Sequence, residues 1–225
     1  MPSERVNADF SQRVVIATGE LPWVPSPQAG VERRLLDRVG GEVARATSLV
    51  RYLPASIFPA HDHALGEELL VLDGIFSDEH GDYPAGTYVR NPPGSRHAPR
   101  TGPGCTLFVK LRQMPPTEQE RIVADTTNLG RGRASAEGHT RLGLYSAGPA
   151  GEQVTMELLR AGADLPETGG SGGEEIFVLS GELGDDDGVY GAGTWIRNPV
   201  GYRRRLKSRG GATYWAKRGH LYPNQ

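Results

Sequence analysis

Short apolar stretches separated by turn residues run along the whole sequence, and they predict strands. Within residues 105–112, Leu107, Val109 and Leu111 occupy alternate positions, which is typical of a strand with one buried face. A helical period is weak everywhere, and only residues 116–123 predict a short helix. Prolines and glycines bound four candidate strands in the first half, at residues 46–53, 67–72, 86–91 and 105–112.

The second half of the sequence repeats the first at a spacing of 107 residues. The segment 66–74 (GEELLVLDG) aligns with 173–181 (GEEIFVLSG), and 83–90 (YPAGTYVR) aligns with 190–197 (YGAGTWIR). Over residues 66–97, 17 of 32 positions are identical to their counterparts. The chain is therefore an internal duplication, and we predict a first domain over 1–118, with an N-terminal arm, and a second over 119–225.

The turn-rich composition indicates how each copy folds. The 225 residues include 31 glycines and 17 prolines, which favours many short strands joined by tight turns. Eight or more antiparallel strands in about 100 residues usually close into a barrel or jelly roll, because closure removes exposed strand edges. We predict an all-β protein made of two tandem jelly-roll β-barrels.

Charge and cysteine content narrow the class of protein. The net charge is −2 and neither half is basic, so we do not expect nucleic acid as a partner. The single cysteine, Cys105, permits no intramolecular disulfide, which suits a reducing compartment. No apolar run approaches the length of a membrane span, and no secretory leader opens the sequence. The sequence thus predicts a soluble, cytoplasmic protein that does not bind membranes.

Candidate chemistry lies in the first copy. His61 and His63 are two positions apart, so a strand points both imidazoles to one face, and Glu67 lies at an even separation from them. His97 follows 34 residues after His63, on what we expect to be an adjacent antiparallel strand. Three imidazoles and one carboxylate form a mixed site for a divalent transition metal. We therefore predict one metal ion per chain, with zinc, Fe(II), manganese and nickel all compatible with these ligands.

These residues also resemble a known family. His61-x-His63-x3-Glu67-x6-Gly74 and Gly86-x5-Pro92-x-Gly94-x2-His97 are similar to the two cupin motifs, although Thr101 stands where the second motif usually has asparagine. The phrase YPAGTYVRNPPGSRH and the segment CTLFVKL resemble the cupin domain of ChrR-type anti-sigma factors more narrowly. The resemblance supports the tandem jelly-roll fold and the predicted metal site.

The resemblance leaves two functions open. One is a metal-dependent, Fe(II) dioxygenase that acts on a small diketone or hydroxyketone. The other is a non-catalytic zinc-binding sensor or regulatory module. The anti-sigma half of the family holds zinc through paired cysteines in an N-terminal helical domain, and this chain has one cysteine and a short, proline-rich start, so sigma-factor binding is disfavoured. A sugar isomerase or epimerase has no specific residue in its favour. In either case we expect a small-molecule ligand or substrate.

Comparison of the copies separates residues that a barrel requires from residues that function requires. His61, His63 and His97 align with Thr168, Gly170 and Arg204, whereas Glu67 keeps its counterpart Glu174 and Glu68, the fallback ligand, keeps Glu175. We predict that the second barrel is metal-free, because Arg204 would repel a cation and pair with Glu174 instead, with Thr168 donating a further hydrogen bond. Arg90 and Arg197, present in both copies, are interpreted as structural.

The remaining predictions concern single residues and assembly. We expect Cys105 to be a buried core residue, and His80, His139 and His220 to be surface or packing residues. We also expect a homodimer, to which the β-prone segment 13–16 (RVVI) could contribute by pairing with a partner chain.

Overall fold

The computed structural model describes residues 4–41, 43–148 and 151–221, and in these residues every regular element longer than one turn is a β-strand. Two short 3-10 turns occur at Thr18–Glu20 and Leu129–Arg131. The strands of the first copy are β1 (Glu4–Val6), β2 (Val14–Ala17), β3 (Val24–Pro25), β4 (Val31–Gly40), β5 (Ala44–Tyr52), β6 (His61–His63), β7 (Glu67–Asp78), β8 (Gly81–Pro84), β9 (Thr87–Asn91), β10 (Ser95–His97) and β11 (Cys105–Leu111). Those of the second copy are β12 (Ile122–Asp125), β13 (Arg133–Ala136), β14 (His139–Ser146), β15 (Gln153–Leu159), β16 (Thr168–Gly169), β17 (Glu174–Gly184), β18 (Val189–Gly191), β19 (Thr194–Asn198), β20 (Arg203–Arg204) and β21 (Ala212–Arg218).

The chain forms two compact units that do not follow the repeats strictly. The first unit takes the described residues up to Ala8 together with Pro22–Thr127, and the second takes Asp9–Leu21 together with the chain from Asn128 onward. The boundary after residue 118 stays a sequence-based prediction for the repeats themselves. The units divide elsewhere because each receives one strand from the other copy.

The first unit is an antiparallel sheet with the order β1-β4-β5-β11-β7-β9-β12, in which β3 also pairs with β4 and β8 with β7. A separate two-stranded ribbon joins β6 and β10. The second unit repeats this arrangement with the order β13-β14-β15-β21-β17-β19-β2 and a ribbon of β16 and β20. Thus β12 covers the edge of β9 in the first unit, and β2 covers the equivalent edge of β19 in the second. Covering these edges removes unpaired backbone groups that would otherwise template association.

One local prediction is wrong. Residues 116–123 form no helix; the chain turns after Pro115 and Pro116, and β-branched Ile122 and Val123 enter β12 instead. In the segment 13–16, residues 14–16 lie in β2 and pair with β19 of the same chain. Pairing of this segment with a partner chain stays a prediction, as does dimerisation.

Apolar side chains fill the interior of each unit. In the first, Leu69, Val71, Phe76, Val89 and Leu107 are among the buried residues of one cluster. The second has the equivalent cluster, which includes Ile176, Val178 and Tyr214. The alternation on β7 and β11 places these residues on the concave face, where the candidate site lies.

A glycine in each copy permits a close crossing beside this core. Gly74 has φ of 74°, and a Cβ there would lie 2.0 Å from the Gly104 carbonyl oxygen. Its counterpart Gly181 has φ of 72° and the same 2.0 Å approach to Gly211. Any side chain would clash with the backbone at both positions, which explains why the motif keeps glycine. Among the described residues, no helix is long and apolar enough to cross a membrane.

Candidate metal centre

Two short strands and the start of a long one bring the four predicted ligands together. In the ribbon, β6 and β10 pair antiparallel with His61 opposite His97, so both imidazoles leave the same face. His63 is two residues further along β6 and shares that face. Glu67 is the first residue of β7, which begins after a turn at Gly66.

The four side chains form one cluster. Their potential ligand atoms all lie within 4.8 Å of one another. Glu67 Oε2 is 3.5 Å from both His63 Nε2 and His97 Nε2. The three imidazole rings are mutually tilted, with centroids 4.7–5.0 Å apart. Because their ligand atoms lie this close together, the tilted rings and the carboxylate can share one metal ion.

The buried nitrogens of the cluster lack another use. Among the described residues, His63 Nε2 and His97 Nε2 are buried and have no hydrogen-bond partner. A buried polar atom without a partner is costly, and a bound cation would satisfy both at once. The donor set of three imidazoles and one carboxylate fits zinc and Fe(II) as well as manganese and nickel. The residues present therefore fit a divalent metal, and they do not select one.

Hydrogen bonds from the far side of two imidazoles set their tautomers. His97 Nδ1 lies 3.3 Å from Asp78 Oδ2, and His61 Nδ1 lies 3.0 Å from the Pro59 carbonyl oxygen. If each Nδ1 carries the proton and donates it outward, each Nε2 presents a lone pair to the centre of the cluster. Partners of this kind orient metal-binding histidines and raise their basicity.

Asp78 and Asn91 support the cluster, although no motif in the sequence indicates them. Asp78 Oδ1 accepts hydrogen bonds from the Tyr83 hydroxyl at 3.0 Å and the His80 amide at 2.7 Å. Asn91 donates from Nδ2 to Glu67 Oε2 at 3.1 Å. Both residues are repeated in the second copy, as Asp185 and Asn198. That repetition indicates that both residues belong to the barrel framework. For this reason it does not predict that Asp78 contacts His97, a histidine found in only one copy.

Glu68 lies on the opposite face of β7 from Glu67, as strand alternation predicts. Glu68, the fallback ligand, points away from the cluster and accepts a 2.7 Å hydrogen bond from the Tyr88 hydroxyl. Arg90 is fully buried and lies 3.7 Å from Glu68, in agreement with a structural role. Cys105 is buried on β11, where burial raises the pKa of its thiol to about 11.

Burial also affects one ligand. Desolvation lowers the pKa of His63, and the neighbouring charge of Glu67 opposes this effect without reversing it. The imidazole of His63 is therefore neutral at pH 7, which is the form that binds a metal.

A cavity of about 290 Å³ adjoins the cluster inside the first unit. Its lining is mostly apolar, and it includes His61, His63 and Glu67. Tyr52 also lines this cavity, and burial raises the pKa of its hydroxyl, so that it remains protonated at neutral pH. The apolar lining residues include Val31, Val50, Phe58, Phe76, Leu107, Val109 and Leu111.

The second unit holds no equivalent cluster among its described residues, and Arg204 pairs with Glu174 as predicted. Arg204 Nε lies 2.7 Å from Glu174 Oε2, and a second bond joins its Nη2 to Oε1. The predicted role of Thr168 is wrong, because its hydroxyl accepts a 2.9 Å hydrogen bond from Arg204 Nη1 and leaves the carboxylate alone.

The three remaining histidines have different surroundings. His80 is exposed, and His220 is buried against Glu175 at 2.9 Å, as the surface or packing interpretation predicted. His139 lines a cavity of the second unit, with Nε2 2.8 Å from Glu157 Oε2 and Nδ1 2.7 Å from Ser135 Oγ. The sequence does not indicate that His139 lines a cavity beside Glu157, because it has no histidine counterpart and no motif around it.

The chain belongs to the cupin family described as the ChrR cupin-like domain, whose model matches it twice, over residues 11–115 and 119–222. The two matches agree with the duplication and with the tandem β-barrels of the structure. No curated protein sequence matches the chain.

Solved structures share the fold at low sequence identity. A Nostoc punctiforme protein described as a "putative dioxygenase" is 16% identical with a TM-score of 0.78, over 96% of this chain and 85% of that one. The protein Ylba of E. coli is 13% identical with a TM-score of 0.70, over 96% and 94%. Oxalate decarboxylase of Bacillus subtilis, a protein with Mn(II) centres, is 12% identical with a TM-score of 0.60, over 92% and 77%. At these identities the likeness concerns the fold alone.

Proposed function

We propose that this chain is a metal-dependent dioxygenase that acts on a small diketone or hydroxyketone in the cavity of the first unit. The main support is the position of that cavity. Three of the four clustered side chains line it, so a metal held by them would adjoin a space large enough for a small molecule. A purely structural metal site has a closed ligand shell and needs no such space.

His61, His63, Glu67 and His97 would hold the ion. Fe(II) bound there would supply open coordination positions for substrate oxygens and O2. Its ligands are held from behind by Asp78, Asn91 and the Pro59 carbonyl, so their geometry is fixed before a substrate enters.

The residues that line the cavity would exclude water and position the substrate. Its apolar side chains exclude water from a compact, weakly polar substrate. The Tyr52 hydroxyl makes no hydrogen bond to a described residue, and it therefore remains available to donate one to a carbonyl oxygen of the substrate. A keto group near both Tyr52 and the ligand cluster would be polarised and held in place.

The test begins with the metal. Protein purified without chelators is analysed for metal content, reconstituted with Fe(II) under anaerobic conditions, and assayed for oxygen uptake with 2,4-pentanedione and with small hydroxyketones. We expect oxygen uptake that requires both the metal and the ketone. Tetrahedral zinc bound by all four side chains, with no turnover after iron reconstitution, would instead favour the regulatory zinc-binding module.

Tyr52→Phe separates substrate positioning from metal binding. Removing the hydroxyl should lower kcat/KM about 10-fold through loss of one hydrogen bond, while metal content stays unchanged. The change Tyr190→Phe, at a buried tyrosine of the second unit whose hydroxyl donates to Asp185, is the control. Equal activity of Tyr52→Phe and the wild type would exclude the positioning role of this hydroxyl.

A further inference from the structure

The second unit has its own cavity, of about 330 Å³, at the position that corresponds to the metal cluster and its cavity in the first unit. Arg141, Arg204 and Arg218 line it together with the carboxylates of Glu157 and Glu174. Loss of the metal ligands alone does not explain why the wall of this cavity is charged. Residues 50, 107 and 111 of the first copy are apolar cavity residues, and their counterparts here are Glu157, Tyr214 and Arg218.

Both carboxylates are ionised, and protein donors occupy the acceptor positions of their oxygens. Burial acts to raise the pKa of Glu157, but Arg218, His139 and Arg141 together hold it well below its ordinary value. Glu157 accepts hydrogen bonds from His139 Nε2 at 2.8 Å, Arg141 Nε at 2.9 Å and the Tyr214 hydroxyl at 2.7 Å, and further bonds from Arg218 and the Thr155 hydroxyl. Its oxygens have no capacity left for a ligand.

Glu174 is saturated in the same way. Arg204 binds it through two nitrogens, Arg218 Nε lies 2.7 Å from Oε1, and Asn198 Nδ2 donates at 3.2 Å to Oε2. Burial opposes its ionisation, but the charges of Arg204 and Arg218 hold its pKa below the ordinary value. The two carboxylates therefore neutralise two positive charges of the wall and no more.

One positive charge of the wall remains. Three guanidinium groups face two carboxylates, and His139 can be satisfied as a neutral imidazole that donates from Nε2 to Glu157 and accepts at Nδ1 from Ser135. Arg141 donates from Nε to Glu157, and its two terminal nitrogens donate to no described residue. Arg218 Nη2 likewise donates to no described residue. Arg141 is 38% exposed, so its free donors lie where a solute can reach them.

We propose that this cavity binds a small organic monocarboxylate, with its carboxylate group on the free donors of Arg141 and Arg218. A guanidinium fork matches a carboxylate in geometry, and one unbalanced positive charge matches a monoanion. Leu165, Pro166 and Leu206 supply an apolar wall for a short carbon skeleton. The cavity is at the small end of ligand pockets, so the ligand has few carbon atoms.

The experiment titrates the full-length protein with propionate, pyruvate and benzoate by calorimetry, with propionamide and inorganic phosphate as comparison solutes. We expect saturable binding of at least one carboxylate at one site per chain, weakened by added salt, and no binding of the neutral amide. Arg141→Gln should weaken that binding about 10-fold or more, since a charge-assisted pair is lost. Arg209→Gln, which removes the same charge from an exposed position outside the cavity, should leave it within about 2-fold.

A carboxylate could also bind a metal in the first unit, so His97→Ala protein is titrated in parallel. Binding that persists in His97→Ala and is lost in Arg141→Gln supports the proposal, independently of any dioxygenase activity. Binding lost in His97→Ala would overturn it, as would equal binding by Arg141→Gln, equal affinity for propionamide, or tighter binding of phosphate. If Arg141→Gln fails to fold, as judged by near-ultraviolet circular dichroism, the amide and phosphate comparisons with wild-type protein decide.

Discussion

At the scale of single residues, His97 links the cluster to its support. Its Nε2 faces Glu67, and its Nδ1 faces Asp78. His97→Ala removes an imidazole that the other three side chains cannot replace, so metal content should fall from one ion per chain to almost none. Metal analysis by plasma mass spectrometry after desalting checks this. His80→Ala, at an exposed histidine, and His139→Ala should both retain the metal, and two ions per wild-type chain would contradict the predicted asymmetry.

Asp78 acts through His97 and should affect affinity more than occupancy. Asp78→Asn removes the negative charge that holds Nδ1–H, so the metal should bind about 10-fold more weakly. Competition with a chromogenic chelator measures this difference. The matched control is Asp185→Asn, which changes the same framework position in the second unit, where Asp185 accepts from Tyr190. Equal affinity in the two variants would mean that Asp78 only stabilises the fold.

A single sequence predicts some of these contacts and not others. Strand parity and the internal copy were sufficient to choose Glu67 over Glu68 and to predict the pair of Arg204 and Glu174. They were not sufficient for Asp78 or His139, since the partners His97 and Glu157 lie on other strands, and alternation does not say which residues of two strands meet. Alternation indicates the face a side chain shares, but which partner lies opposite depends on how the sheet curls.

At the scale of elements, the exchange of β2 and β12 is the feature that the sequence did not indicate. Both strands are short, and their pattern suits any exposed edge, so nothing local specifies the partner. In the folded chain Arg13 ties the segment that contains β2 to the second unit through Asp185, Asp187, Asn198 and Tyr190. The specificity of this pairing therefore comes from one side chain beside the strand as well as from the ladder itself.

Arg13→Ala should loosen β2 without unfolding the sheet beneath it. Because the alanine side chain cannot form the hydrogen bonds and ion pairs of the guanidinium group, residues 14–17 should open more often, and their amide hydrogens should exchange about 10-fold faster. Hydrogen exchange followed by mass spectrometry measures this, with a peptide covering residues 67–72 as the internal reference. Arg205→Ala, which removes only an exposed pair with Asp164, should leave exchange in 14–17 unchanged. Unchanged exchange in Arg13→Ala would show that the backbone ladder alone holds the strand.

At the scale of the whole molecule, duplication has produced two units with the same framework and different interiors. The shared positions, among them Gly74 with Gly181 and Asn91 with Asn198, maintain the fold in both. The differing positions form a histidine–glutamate cluster in one unit and an arginine–carboxylate network in the other. The fold was predictable because turns and alternation repeat, whereas the second interior was not, since its charged residues come from five separate strands.

The two interiors should respond differently to acid, and Glu157 provides the test. Its folded-state pKa is depressed, so it contributes stability above the unfolded value of about 4.5, and this stability is lost as the pH falls further. Glu157→Gln should destabilise the protein at pH 7 by about 3–5 kcal/mol, because the guanidinium groups of Arg141 and Arg218 lose their partner. The variant should also lose less stability between pH 5 and pH 3.5 than the wild type does.

Urea unfolding followed by tryptophan fluorescence measures both effects. Trp195 and Trp215 are buried in the second unit, so the signal reports mainly on the unit that contains Glu157. Glu137→Gln, an exposed change in the same unit, should show wild-type behaviour at every pH. Parallel acid profiles for Glu157→Gln and the wild type would mean that the buried network is not ionised in the folded protein. In that case Glu157 would neutralise no guanidinium group, the wall would carry more than one unbalanced positive charge, and the match of the cavity to a monoanion would have to be abandoned.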